Sequence, residues 1–359
     1  MPNNGVLPSQ EIAAMISRSE IAMIEPPLEN QIQPASLDLR LGNVAYRLRA
    51  SFLPGEKARV ADRLSDFKMH QIDLSGGAVL EKGCVYLVPL LEALNLPVGV
   101  SAVANAKSST GRLDVFTRCI TDQGIEFDRV EAGYSGPLFA EISPRSFSVL
   151  VRPGMRLNQI RFKQGIARII DADLAALHAD IGLVDGTAQI DDGLGFSVDL
   201  SQRDGPVGFR AKPHTGLIDL DLINHYEPAD FWEPVFADQG RIILDPGAFY
   251  ILVSREAVTI PPDCAAEMAP YLAMVGEFRV HYAGFFDPGF GHEGAGGTGS
   301  RGVLEVRCHE APFALEHSQS VGRLIYEHMS VVPDTLYGAD LKSNYQGQGL
   351  KLSKHFKSV

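Results

Sequence analysis

Six consecutive residues, Lys107-Ser108-Ser109-Thr110-Gly111-Arg112, form the densest polar cluster in an otherwise apolar stretch. Hydroxyls, a lysine and an arginine at that spacing suit phosphate oxygens, because Arg presents a planar fork and Lys a compact charge. Gly111 lets backbone approach a ligand closely. Taken alone, the same six residues read more simply as an exposed polar turn. Glu141 stands in Leu138-Phe139-Ala140-Glu141-Ile142, a mostly apolar, strand-like run. A carboxylate in that setting is a usable general acid or base, and a glutamate on the solvent face of a strand is the plainer alternative. Glu305, in Val303-Leu304-Glu305-Val306, repeats the acid 164 positions later. The third feature is the C-terminal tail. From Asn344 onward it has no acid but carries Lys351, Lys354, His355 and Lys357, preceded by Tyr345-Gln346-Gly347-Gln348-Gly349. A basic, flexible arm of this kind can close over a polyanion; a frayed terminus has the same composition.

Several chemistries have no residues to carry them. Zinc-assisted attack on a nucleobase uses H-x-E with P-C-x-x-C. His225-Tyr226-Glu227 supplies the first pattern, but the second is absent, as are H-E-x-x-H, a Walker A loop and a G-x-S-x-G elbow. Any deamination is therefore expected to be zinc-free, with no metal ligated by the protein. Gly289–Gly302 is glycine-rich, but no lysine follows in phosphate-loop register, so a mobile hairpin insertion is preferred to a phosphate cradle.

The elements that must position these residues follow from composition and pattern. The 359 residues allow roughly two domains at ~150 residues each. Net charge is −12 and the pI about 5.3, the opposite of a nucleic-acid backbone binder. No apolar run approaches the ~18 residues needed to span a bilayer. The opening Met1-Pro2-Asn3-Asn4-Gly5 lacks the features of a secretory leader, and the four scattered cysteines form no C-x-x-C. A cytoplasmic protein with reduced thiols is expected. The 35 glycines and 22 prolines, with 45% hydrophobic residues, point to many short strands and tight turns.

An internal repeat organises the chain. Val79–Val88 (VLEKGCVYLV) resembles Ile243–Leu252 (ILDPGAFYIL), and at the same offset Glu92–Pro97 matches Glu256–Pro261. A duplicated β-domain explains both matches better than two unrelated hairpins. Ser9 is placed as the N-cap of an opening helix carrying Ile12, Met15 and Ile16. Leu37, Leu39 and Leu41 alternate with Asp38 and Arg40 as in a half-buried strand. A helical interval near Ile166–Ile181, with Ile169, Ile170, Leu174 and Leu177 on one face, separates the repeats, giving domains of 1–170 and 171–359.

Taken together these motifs resemble the dCTP deaminases. Gln33-Pro34-Ala35-Ser36-Leu37-Asp38-Leu39-Arg40-Leu41-Gly42 is similar to their N-terminal signature, and Lys107–Arg112 to the serine–arginine motif they share with trimeric dUTPases. Tyr134-Ser135-Gly136 leads into Glu141 as in the family, Arg152-Pro153-Gly154-Met155 with Gln159-Ile160 also fits, and Tyr345–Gln348 resembles the nucleotide-closing tail. The whole chain resembles the long, internally duplicated form. The resemblance implies a mainly β fold of two tandem dUTPase-like distorted β-barrel (β-clip) repeats with a few short helices. It implies a homo-oligomer with dCTP as substrate, Mg2+ bound through the triphosphate, and dTTP as a feedback inhibitor. No nucleic acid or membrane partner is implied.

By the same resemblance Glu141 activates water and shuttles protons, Ser108 positions that water, and Arg112 assists at the base. Lys107 and Ser109 hold phosphates, with Thr110, Gly111, Asp128, Phe139 and Ala140 lining the substrate. Tyr345 and Gln348 close over the nucleotide; Lys342 is a looser match. The second repeat lacks the serine–arginine motif, having Tyr271–Gly276 there, yet its His281 and Asp287-Pro288-Gly289-Phe290 resemble the family's nucleoside-binding hairpin more closely than the first repeat does. Either the first repeat supplies complete sites, or sites are composite, with Lys107–Arg112 facing Asp287 and Glu305. Glu141 is placed slightly ahead of Glu305 as the base.

Overall fold

A computed structural model describes residues 4–201, 204–270, 278–281, 284–338 and 349–358. The chain divides into two compact units, Met1–Ala167 with Gly216–Leu222, and Arg168–Thr215 with Ile223–Val359. Both are mainly β, with a few short helices.

In the first unit one sheet centres on Arg156–Gln164, flanked by Val100–Ala106 and Ser36–Arg40. A second runs Val115–Thr121, Ser135–Pro144, Val85–Asn95, Val44–Leu48, Lys68–Asp73, in that spatial order. The second unit repeats the plan. Ser320–His328 lies between Leu194–Ser197 and Cys264–Pro270, and the other sheet runs Phe278–His281, Ser300–Cys308, Phe249–Val258, Gly208–Ala211, Trp232–Val235. The offset of 164 positions holds strand by strand: Val100 to Cys264, Arg156 to Ser320, Val44 to Gly208. It also holds in register, for Glu141 pairs with Leu87 and Glu305 with Ile251. Because side chains alternate faces with a period of two, matching register puts the two glutamates on equivalent faces.

The third sheet differs between units. Val149–Val151 pairs with Ala78–Leu80 on one side and, in parallel, with Ile218–Asp219 on the other. In the second unit Phe313–Glu316 pairs with Arg241–Leu244 in a two-stranded sheet. Arg152 fixes the added strand by a fork on Asp219, Nη1 to Oδ1 at 2.7 Å and Nη2 to Oδ2 at 2.9 Å.

Three local expectations are corrected. The opening helix is Ser9–Ser17, but Pro8 occupies the N-cap and Ser9 Oγ donates to Gln10 instead of capping. The later helix is Asp171–Ile181, and of its expected apolar face only Leu174 is fully buried within it; Ile169 is buried ahead of the helix and Ile170 is exposed. The Asp171 carboxylate accepts the amides of Asp192 and Gly193, which ties the first turn of the helix to that later turn. The glycine-rich segment does fall in the connection between the antiparallel partners Phe278–His281 and Ser300–Cys308, but it is packed. It makes a short 3-10 turn, Glu293–Ala295, with Phe290 and Ala295 buried, and enters the strand at Ser300. Its amides are spent internally, Gly299 on Gly291, Gly296 on Glu293, Gly297 and Gly294 on His292, which removes the donors a phosphate cradle needs. Gly291 must be glycine, since its φ is +68° and a Cβ would stand 2.1 Å from the Val258 carbonyl oxygen.

The chain end is docked. Phe356 is buried against Tyr226, Phe231 and Trp232, with ring centroids 5.4 Å from Phe231 and 5.8 Å from Trp232. Backbone bonds from Asn224, His225 and Tyr226 to Lys354 and His355 add to it, as does an ion pair between Lys357 and Glu227. Residues 349–358 are thus neither frayed nor free, because an aromatic cluster buries their apolar side chains.

Candidate active site

Lys107–Arg112 follows directly on the strand Val100–Ala106. The Lys107 amide donates to Leu157 (2.9 Å), and its carbonyl receives the amides of Thr110 and Gly111, winding Ser108–Gly111 into one helical turn. Ser109, Thr110, Gly111 and Arg112 are buried and Ser108 half-buried, so the exposed-turn reading fails. Lys107 is held by a residue of the N-terminal signature: its Nζ donates to Asp38 Oδ1 at 2.5 Å. Asp38 is only 2% exposed and also lies 3.5 Å from Arg156 Nη1. A buried carboxylate of this kind must be paired, and here the pairing ties two sequence motifs together. Lys107 keeps two further N–H donors for other oxygens.

A second buried pair supports the same signature. Arg40 Nε donates to Glu92 Oε1 at 2.7 Å, and both side chains are almost wholly excluded from solvent. Glu92 also receives the Arg40 amide and Gln31 Nε2, and the Arg40 guanidinium donates to the carbonyls of Glu25 and Pro26. Both Glu92 carboxylate oxygens are thus hydrogen-bonded, the condition for burying such a pair.

Glu141 sits mid-strand in Ser135–Pro144, opposite Arg118 and Leu87, and is 2% exposed. Its Oε1 accepts from Arg118 Nη2 at 2.5 Å and Nε at 3.2 Å. Its Oε2 is buried with no hydrogen-bond partner. Arg118 is a residue the sequence reading missed, although Phe116, Arg118 and Ile120 alternate along Val115–Thr121 and the strand Ser135–Pro144 follows closely. The guanidinium carbon stands 3.4 Å from the Phe127 ring centroid and 4.7 Å from that of Phe116, and Nη2 also donates to Ser51 Oγ at 3.0 Å. Phe127 and Phe139 pack against Leu48, Phe52, Val60, Leu87 and Ile120, while Ala140 is buried opposite Val88 and Cys119.

Asp128 adopts a left-handed backbone (φ 63°) and accepts the Cys119 amide on Oδ1 at 2.7 Å, so it fastens the hairpin that carries Phe127. Burial pushes the Cys119 thiol well above the ordinary thiol value, with the Asp128 charge adding to the effect. In the second unit Glu305 is buried in Ser300–Cys308, opposite Ile251 and His281, and Asp287 is buried in a turn closed by the Phe290 amide on the Asp287 carbonyl. Lys342, Tyr345, Gln348 and the Tyr271–Gly276 window lie outside the described residues. Among the described residues no His, Cys, Asp and Glu side chains gather in threes to hold a metal ion, and no helix is long and apolar enough to cross a membrane.

Comparison with known proteins decides the family. Residues 3–166 match the model of the N-terminal domain of 2'-deoxycytidine 5'-triphosphate deaminase, and residues 170–356 match that of its C-terminal domain. The chain belongs to the 2'-deoxycytidine 5'-triphosphate deaminase family. The crystal structure of the family enzyme from Agrobacterium tumefaciens superposes with a TM-score of 0.88 at 55% identity, covering 91% of this chain and 99% of that one. Among curated relatives, a "dCTP deaminase, dUMP-forming" from Coprothermobacter proteolyticus is 30% identical over 39% of this chain and 73% of its own length. A dCTP deaminase from Halorubrum lacusprofundi is 27% identical over 44% of this chain and 77% of its own. The mainly β architecture of both units is therefore shared with the Agrobacterium enzyme, and the tandem pattern expected from the sequence stands.

Proposed function

We propose that this chain hydrolyses dCTP to dUTP and ammonia, with water activated by a glutamate carboxylate and no zinc. The observation that carries the reading is the buried glutamate at one register position in both halves, Glu141 and Glu305, within a chain matched to the family over both domains. Attack on C4 of cytosine requires a proton acceptor within hydrogen-bond reach of the water and then a donor for departing ammonia; one carboxyl group serves both in turn. Lys107 and the Ser108–Gly111 turn supply cationic and hydroxyl donors suited to the triphosphate, which enters with its Mg2+ as part of the substrate. Arg112, buried beside that turn, has the planar donor set for orienting the base or water. The tail residues Tyr345 and Gln348 close over the nucleotide, the enzyme acts as a homo-oligomer in the cytoplasm, and dTTP regulates it; these come from the family resemblance.

Purified full-length protein with dCTP and Mg2+, followed by ammonia release and nucleotide chromatography, tests the reading. dUTP with stoichiometric ammonia is expected. dUMP with pyrophosphate would place the chain with relatives of the dUMP-forming kind, and dCTP recovered intact would overturn the assignment.

A further inference from the structure

The first unit buries two glutamate–arginine pairs, and they are built differently. Glu92 has both carboxylate oxygens bonded: Oε1 accepts from Arg40 Nε and Gln31 Nε2, and Oε2 accepts the Arg40 amide. That pair is a complete cross-link. Glu141 receives two N–H donors from Arg118, Nε at 3.2 Å and Nη2 at 2.5 Å, and both land on Oε1. An arginine fork closing on a carboxylate ordinarily gives one donor to each oxygen. Here Oε2 stays buried and unbonded on a side chain that is 2% exposed. Leaving a buried carboxylate oxygen unpaired is costly, and such an atom calls for a catalytic or binding role. Arg118 is itself held from three sides. Its guanidinium carbon stands 3.4 Å from the Phe127 ring centroid and 4.7 Å from that of Phe116, and Nη2 donates to Ser51 Oγ at 3.0 Å.

We propose that Arg118 is a positioning residue for Glu141, pinning Oε1 so that Oε2 is the acceptor turned to the reacting water. The inference deepens the deaminase reading and rests on it, with Glu141 as the base. The last torsion of a glutamate side chain is soft and two-fold, so a loose carboxylate can offer either oxygen. Two donors on Oε1 stop that rotation and fix the direction of Oε2, which is the orientation a proton acceptor needs. The stack matters as much as the charge. A lysine at this place would keep the positive charge but has neither the fork nor a flat face to lie on Phe127.

Full-length wild type, Glu141→Gln, Arg118→Met, Arg118→Lys and the double variant carrying Glu141→Gln with Arg118→Met are assayed for ammonia from dCTP and Mg2+, beside thermal melts. Glu141→Gln is expected to lose on the order of 10²–10⁴-fold in kcat, the usual yield of general acid–base catalysis. Arg118→Met is expected to lose about 10–10²-fold in kcat at nearly constant KM, and Arg118→Lys to recover part of that loss. The double variant should be slower than Glu141→Gln by less than about threefold, because a residue acting only through Glu141 has nothing left to act through. An arginine that merely supports the fold would cost the same in both backgrounds. If Arg118→Met does not melt cooperatively, the cycle is run with Arg118→Lys. Wild-type kcat in Arg118→Met overturns the proposal, as do equal losses in the two backgrounds or a loss confined to KM. So does Glu141→Gln with kcat retained, since it removes the base that Arg118 is said to position. A wild type that releases no ammonia fails the deaminase reading itself.

Discussion

Asp38→Asn isolates the bond that joins the N-terminal signature to the Lys107–Arg112 turn, for which phosphate binding is proposed. The substitution keeps shape and removes charge at a site 2% exposed, where Lys107 Nζ stands at 2.5 Å and Arg156 Nη1 at 3.5 Å. Hydrogen bonds to charged groups contribute about 1.5–3 kcal/mol against roughly 1 kcal/mol for neutral ones. The Lys107 side chain is 21% exposed, which places the change near the low end, about 1–2 kcal/mol. For a unit of this size that is a fall of about 2–8 °C in melting midpoint. Function moves by a separate route. Lys107 offers three donors and spends one on Asp38, which fixes where the other two point. Without that anchor the ammonium samples several rotamers, and its grip on triphosphate oxygens weakens equally in the ground and transition states. KM for dCTP is then expected to rise about three- to tenfold, with kcat nearly constant. Steady-state kinetics beside a thermal melt read both numbers, and Asp38→Glu should restore part of each. An unchanged melt together with an unchanged KM would refute the reasoning. A lower KM would also refute it, since it would mean that Asp38 masks the lysine charge and does not aim it.

Other outcomes follow from the packing. Glu92→Ala strands the buried Arg40 guanidinium and should cost about 3–5 kcal/mol in denaturant unfolding; less than 1 kcal/mol would show that the pair is not desolvated. Phe356→Ala empties the Tyr226–Phe231–Trp232 cluster, where a fully buried Phe→Ala change costs up to about 3–5 kcal/mol, and should let trypsin cut at Lys351 or Lys354 before the rest of the chain. Protection equal to the parent protein's would count against the docked terminus. Burial pushes the Cys264 thiol from 9.0 up to about 12. Because the folded value is the raised one, its contribution to stability is whole below pH 9 and is lost between pH 9 and about 12, as unfolded thiols ionise first. Urea midpoints should fall across that window, and less steeply in Cys264→Ala. Of the four thiols, half-buried Cys84 should react first with a disulfide reagent at pH 8, ahead of buried Cys119, Cys264 and Cys308.

The duplication is legible in the sequence alone because a repeat needs no folding to be seen: residues at a fixed offset carry the same turn chemistry and the same apolar order. The structure extends that offset to strands with no obvious sequence kinship, Val44–Leu48 with Gly208–Ala211 among them. The Lys107–Arg112 cluster was legible as a motif, though its burial was not, since polar composition alone reads as surface. Ser9 as a cap failed because Pro8, whose fixed φ also suits a helix start, took the position.

What the sequence determined alone is local or periodic: mainly β structure, two copies of one unit, a serine–arginine turn, and an acid recurring at one offset. What only the tertiary structure decided is which charges meet. Asp38 reaches Lys107 across 69 positions and Arg40 reaches Glu92 across 52. Arg118 meets Glu141 because a seven-pair antiparallel register sets them directly opposite. Shifting that register by one residue would turn Arg118 to the other face, and no residue type announces the register in advance. Strand pairing therefore separates two glutamates of identical sequence standing: one lies under a guanidinium, and its twin faces a histidine position.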